Sequence, residues 1–192
     1  MSLVDELREL GIPLESVWDL VNVRLLYPGA VPILVAALHR DYPEGVTEGI
    51  LRALARPYGE PAFSSLISLA QHLPEWYTDR LKFALGLAIA ANAEKSDLDV
   101  LLALVYDAKL GGVRDEIVDK IATWKDARIV PALVEYLESG SNIWYGVSAL
   151  RRAHAWSHAD KVQPYLSSPV KDHRDAAKQF IKAMARATGD GG

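Results

Sequence analysis

The sequence predicts an all-α protein, a stack of about six antiparallel helix pairs, and three observations carry that prediction. Half of the 192 residues are hydrophobic, Ala and Leu lead the apolar set, and short alternating Val/Ile/Thr/Tyr runs bounded by tight turns are almost absent. One apolar phrase occurs twice: Val31-Pro32-Ile33-Leu34-Val35-Ala36-Ala37-Leu38 returns 99 residues later, or three steps of 33, as Val130-Pro131-Ala132-Leu133-Val134-Glu135-Tyr136-Leu137. Such a period marks stacked helix pairs, because one pair with a single apolar face buries it only against its neighbours. Finally, a stripe of apolar positions spaced by four recurs at starts 46, 77, 113, 143 and 173.

The first pair, Leu3–Leu10 and Leu14–Arg24, is divided by Gly11-Ile12-Pro13 and departs from the later units, as a terminal cap does. Residues 1–26 are therefore read as capping helices and 27–186 as repeats of one domain, with 187–192 a loose tail. First helices are expected at about 29–40, 61–72, 97–109, 127–138 and 158–166. Pro32 and Pro131 lie in a first turn, where the missing N–H breaks no intrahelical bond. Second helices carry Val46, Ile50 and Leu54; Tyr77, Leu81 and Leu85; Val113, Ile117 and Ile121; Ile143, Val147 and Leu150; and a weaker His173, Ala177 and Ile181. Each of these sets forms one buried seam of a helix. Ser96 with Asp99 and Ser157 with Asp160 have the spacing of reciprocal N-terminal caps. Asp41-Tyr42-Pro43-Glu44-Gly45, Leu110-Gly111-Gly112 and Ser139-Gly140-Ser141-Asn142 are the turns between helices.

Composition narrows the function classes. There is no cysteine, hence neither a disulfide framework nor a thiolate metal site. The N-terminal segment is acidic and amphipathic, unlike a secretion signal, and the longest apolar run, Phe83 to Ala91, is less than half the roughly 20 residues that cross a bilayer. A cytoplasmic protein with no membrane partner is expected. The net charge of −4 hides a division: residues 1–150 carry 13 Lys/Arg against 21 Asp/Glu, whereas residues 151–192 carry 8 against 4.

With period, helix pairing and proline placement established, the chain resembles an α-solenoid of HEAT-type repeats over about residues 27–186, similar to small bacterial HEAT-repeat proteins. In such repeats an Asp near the inner turn is followed by an Arg early in the second helix. Asp107 with Arg114 matches, and His173-Arg174-Asp175 is related, while Thr47, Thr78 and Trp144 stand where the Arg is absent. The resemblance implies a right-handed solenoid whose second helices line a concave binding surface for protein, peptide or nucleic acid. It assigns no substrate.

The densest group of versatile side chains is Trp144, Tyr145, Arg151, Arg152, His154, Trp156 and His158. Aromatics and arginines supply most binding energy at interfaces. Ile143, Val147 and Leu150 take the core stripe, so Trp144, Tyr145, Ser148, Arg151, Arg152 and Trp156 are read as the partner-binding set. The alternative for Trp144 and Trp156 is packing between repeats. His154 and His158 have the i, i+4 spacing of metal ligands, but a cap at Ser157 places a turn between them, and no metal or cofactor is predicted. Asp97 and Asp99 are explained by a helix start, and Glu44, Glu48, Asp115, Glu116 and Asp119 read as a solvated acidic face. A glycine phosphate loop, a nucleophile elbow and a His-Glu-x-x-His motif are missing. The expected function is a non-catalytic protein-interaction module: an adaptor, assembly factor or immunity-like inhibitor. The alternative resembles HEAT-like alkylpurine DNA glycosylases, with Asp119, Trp124, Trp144 and Arg152 imitating their Trp and Asp set. The acidic middle of the chain disfavours it. A HEAT-like bilin lyase has no motif here.

Overall fold

A computed structural model describes residues 2–23 and 25–189. Among the described residues the chain forms twelve α-helices joined by turns, with no strand. They are α1 (Leu3–Arg8), α2 (Trp18–Asn22), α3 (Val31–Ala37), α4 (Glu44–Leu54), α5 (Ala62–Gln71), α6 (Asp79–Asn92), α7 (Leu98–Tyr106), α8 (Val113–Ile121), α9 (Ile129–Glu138), α10 (Ile143–Arg152), α11 (Ala159–Val162) and α12 (Lys171–Thr188). No helix among the described residues is long and apolar enough to cross a membrane.

The chain packs as two compact units, Met1–Glu94 and Lys95–Gly192. In the first, α1, α3 and α5 contact one another in sequence to make one layer, and α2, α4 and α6 make the other. The second unit repeats the plan, with α7 against α9 in one layer and α8, α10 and α12 side by side in the other. This layering follows from the stripes. Ile50, Leu54, Leu81, Leu85, Val113, Ile117, Ile121, Val147 and Leu150 are all fully buried. The last helix departs from expectation: its buried residues are Ala176, Ala177 and Phe180, while His173 and Ile181 are half-exposed. The seam of α12 is turned to set Phe180 inward, where its ring also meets Trp156.

The boundaries are held by side chains in ways the sequence showed only in part. Ser2 and Asp5 form a reciprocal cap on α1, and Thr78 caps α6 by accepting from the Leu81 amide. The caps expected at Ser96 and Ser157 do not form. Both serines fall inside 3-10 turns, Lys95–Asp97 and Trp156–His158, which move the cap position to Asp97 and His158, and neither side chain makes a capping bond. Asn92 ties the end of α6 to the turn after α4: its amide donates to the Leu54 and Ala88 carbonyls and its oxygen accepts from the Tyr58 and Gly59 amides. Of the tail expected to be loose, Ala187 and Thr188 complete α12 and Gly189 takes the left-handed position that ends it. Asp190, Gly191 and Gly192, like Arg24 at the end of the expected second helix, lie outside the described residues.

Candidate functional site

Of the acids expected to form a solvated face, Glu48 and Asp115 are buried, Glu116 and Asp119 are half-buried and Glu44 is exposed. Glu44, Glu48, Asp115, Glu116 and Asp119 each meet a hydrogen-bond donor or a cation at the next second helix. In the first unit, Glu44 accepts from the Thr78 hydroxyl at 2.6 Å, and Glu48, 1% exposed, lies between Arg52 at 2.7 Å and Arg80 at 2.5 Å. In the second, Asp115 accepts from Asn142 at 2.7 Å and from the Tyr136 hydroxyl at 2.6 Å, Glu116 accepts from the Tyr145 hydroxyl at 2.5 Å, and Asp119 pairs with Arg152 at 3.1 Å. The expectation of a solvated acidic face is thus corrected for Glu48 and Asp115, for a physical reason. Side-by-side second helices bring each carboxylate opposite a donor about one repeat further on, and a buried carboxylate is tolerated only when so paired.

Arg114 and Asp107 hold different partners. Asp107 accepts from the Lys109 amide. The buried Arg114 donates to the Val105 carbonyl and to Ser141, and its guanidinium lies over the Tyr136 ring. Arg174 likewise donates to the Ser168 and Pro169 carbonyls, so in both places an early arginine of a second helix fastens the backbone that precedes it.

The predicted partner-binding set separates into two groups. Trp144 is 42% exposed and meets Tyr145 edge to face, 4.9 Å between centroids. Burial and the Glu116 carboxylate hold the Tyr145 phenol well above its ordinary pKa, so it stays a donor. Ser148 is buried, because α10 is flanked by α8 and α12 and backed by α9. It belongs to packing, not to an open surface. Arg151, Arg152 and Trp156 form the second group, in a hollow of ≈ 750 Å³ at the C-terminal ends of α8, α10 and α12, which also takes in Thr123, His154 and Arg186.

The hollow is built by the end of α10. Ala155 N–H donates to the Leu150 carbonyl and His154 N–H to that of Arg151, the paired bonds of a Schellman turn. That turn needs a left-handed residue at its next-to-last position, normally glycine, and here His154 has φ of 55°. Its imidazole stacks on Trp156, 5.4 Å away at 24°, and Trp156 in turn meets Phe180 edge-on at 5.1 Å. Arg152 shares its charge with Asp119, while among the described residues Arg151 and Arg186 have no ion-pair partner. Part of this positive charge answers the negative ends of the helices. The strained, stacked histidine is not explained in that way.

His154 and Arg186 were missed as binding residues. The charge division of the sequence pointed to this end of the chain, but nothing local says that residue 186 reaches residue 151. His154 and His158 fall on opposite sides of a turn, one ending α10 and the other ending a 3-10 turn. Among the described residues no three His, Asp or Glu side chains are gathered to hold a metal ion. Of the four residues set beside the glycosylase pattern, Asp119 and Arg152 are joined to each other. A second hollow, of ≈ 540 Å³ in the first unit, is lined by His39, Arg40, Asp41, His72 and Trp76. Its arginine is committed to Glu6 and an aspartate shares its wall.

Fold and site together define an all-helical protein with a cationic, aromatic-walled hollow. No family model matches the chain, and comparison with curated proteins and with solved structures gives no match.

Proposed function

We propose that this chain is a non-catalytic protein-interaction module of HEAT-like, right-handed α-solenoid design, an adaptor, assembly factor or immunity-like inhibitor of the cytoplasm. Five apolar stripes whose starts lie 30–36 residues apart, behind a divergent first pair, and the two-layer order within each unit support the architecture. One observation carries the functional reading. Glu44, Glu48, Asp115, Glu116 and Asp119 are engaged by neighbouring donors and cations, whereas Arg151, Arg152 and Trp156 line an open hollow with His154 and Arg186. Arginine and tryptophan on a preformed rim are the residues from which interface hot spots are made. The partner's contribution is an acidic protein segment, by charge complementarity.

The test is reconstitution. A protein recovered with the tagged full chain is purified and its binding measured directly; Trp156→Ala and Arg151→Glu are each expected to weaken it by about tenfold or more, as truncation of a hot spot does. Binding to a DNA duplex that falls steeply with added salt, with no protein partner, would place the chain in the nucleic-acid class instead.

A further inference from the structure

We infer that the hollow at the ends of α8, α10 and α12 receives a phosphate monoester carried on the partner protein; this rests on the protein-binding reading and names the group that is read. The donor inventory decides between anions. One guanidinium suffices for a carboxylate, which it meets with two parallel N–H bonds. Here Arg151 and Arg186 lack ion-pair partners among the described residues, Arg152 stands beside them with Asp119, and His154 completes the wall; Thr123 also lines it, but its hydroxyl donates to the Lys120 carbonyl. No carboxylate lines the hollow itself. Several cations held around one space repel one another until an anion of matching charge enters. A phosphate monoester brings close to two charges and three strong acceptor oxygens.

The backbone supplies a second, independent sign. Position 154 needs a left-handed residue and is filled by histidine where glycine is unstrained. Strained residues of this kind cluster at functional sites. The strain sets the imidazole on the indole of Trp156, itself braced by Phe180, so the ring is fixed at the rim next to Arg151 and Arg152. The arrangement also distinguishes phosphate on a protein from the backbone of a nucleic acid. Duplex binding uses cations strung along a groove at the spacing of successive phosphates. These cations line a single hollow, and α12 forms one of its sides with Ala183 and Ala187.

Calorimetry on the full chain tests this with a phosphoserine peptide, its Ser and Glu counterparts and a short DNA duplex, and phosphorus NMR follows inorganic phosphate. The phosphopeptide is expected to bind about tenfold or more tighter than the Glu peptide. Arg151→Gln and Arg186→Gln, at sites outside the core, should each weaken it by about tenfold with an unchanged near-UV spectrum. The phosphate resonance should broaden with the native chain and not with the double variant. Equal affinity for the Glu peptide, unaltered binding by the double variant, a phosphate signal the native chain does not perturb, or displacement of the phosphopeptide by duplex overturns the inference. Phosphatase treatment of the purified partner separates the two readings. Binding that survives it yet is lost in Trp156→Ala keeps the interaction module and removes the phosphate; phosphopeptide binding by a chain that engages no protein does the reverse.

Discussion

The imidazole of His154 lies nearly parallel to the indole of Trp156, 5.4 Å away, on a backbone whose φ is 55°. A side chain in the left-handed region costs about 1–2 kcal/mol, and a stacked aromatic pair returns about 0.5–1.5 kcal/mol. His154→Gly relieves the strain and loses the stack, whereas His154→Ala keeps the strain and loses the stack. The expected order of melting midpoints is therefore Gly, then His, then Ala, with Gly above Ala by about 2–8 °C for a chain of this size. Scanning calorimetry measures it. A glycine variant below the alanine variant would show that the turn is not strained.

Asp115 accepts from the Tyr136 hydroxyl on one oxygen and from Asn142 on the other. Tyr136→Phe leaves a buried carboxylate one donor short, which costs about 1–3 kcal/mol. Asn142→Ala removes the second donor and also the side chain that caps α10, so its cost is larger by about 1 kcal/mol. Because both act on one carboxylate, the double variant should lose an amount different from the sum of the two by at least about 0.5 kcal/mol in urea unfolding. Simple additivity would mean that Asp115 does not couple them.

The helix order was legible because it is written in local terms. Pro32 and Pro131 mark first turns, and Val113, Ile117 and Ile121 form one apolar stripe, so helix starts and buried faces follow from neighbours a turn apart. The destination of the acids was not legible. Glu116 looks like any solvated helix acid until Tyr145, 29 residues on, is set beside it by packing of α8 on α10. The site was half legible: Arg151, Arg152 and Trp156 lie close in sequence, whereas Arg186 joins them only through α12. His154 carried no sign of its left-handed backbone, since that conformation is normally announced by glycine.

Two glycines of similar helical setting should answer oppositely to alanine. At Gly146 a β-carbon would stand 3.0–3.1 Å from Leu137, including its Cα, on the facing helix α9. The propensity gain of about 1 kcal/mol is outweighed by overpacking of about 1–3 kcal/mol against a backbone that cannot turn aside. At Gly45, in the first turn of α4, nothing lies within 4 Å. Gly45→Ala should stabilise by about 0.4–1 kcal/mol and Gly146→Ala should destabilise, compared by urea midpoint at constant slope. Stabilisation by both would mean that α9 and α10 have room to separate.

Tyr77 is 3% exposed, and its hydroxyl has no hydrogen-bond partner among the described residues. Burial pushes its phenol up to about 12. An unfolded tyrosine ionises near 10, so at neutral pH both states hold the proton and Tyr77 adds no pH dependence. Between about 10 and about 12 the unfolded chain releases a proton that the folded chain keeps, and stability falls by about 1.4 kcal/mol per pH unit from this group. Phenylalanine keeps the ring and its edge contact with Trp76 while removing the unpaired hydroxyl. Tyr77→Phe should therefore be at least as stable at pH 7, by up to about 1 kcal/mol. Its advantage should widen as pH rises from about 10 to about 12. Tyr136 and Tyr145 are also raised, so the difference between the two chains, not the alkaline loss of either alone, isolates Tyr77. A variant less stable than the parent at pH 7 would show that the hydroxyl is satisfied, and a gap constant with pH would show that its ionisation is not linked to folding.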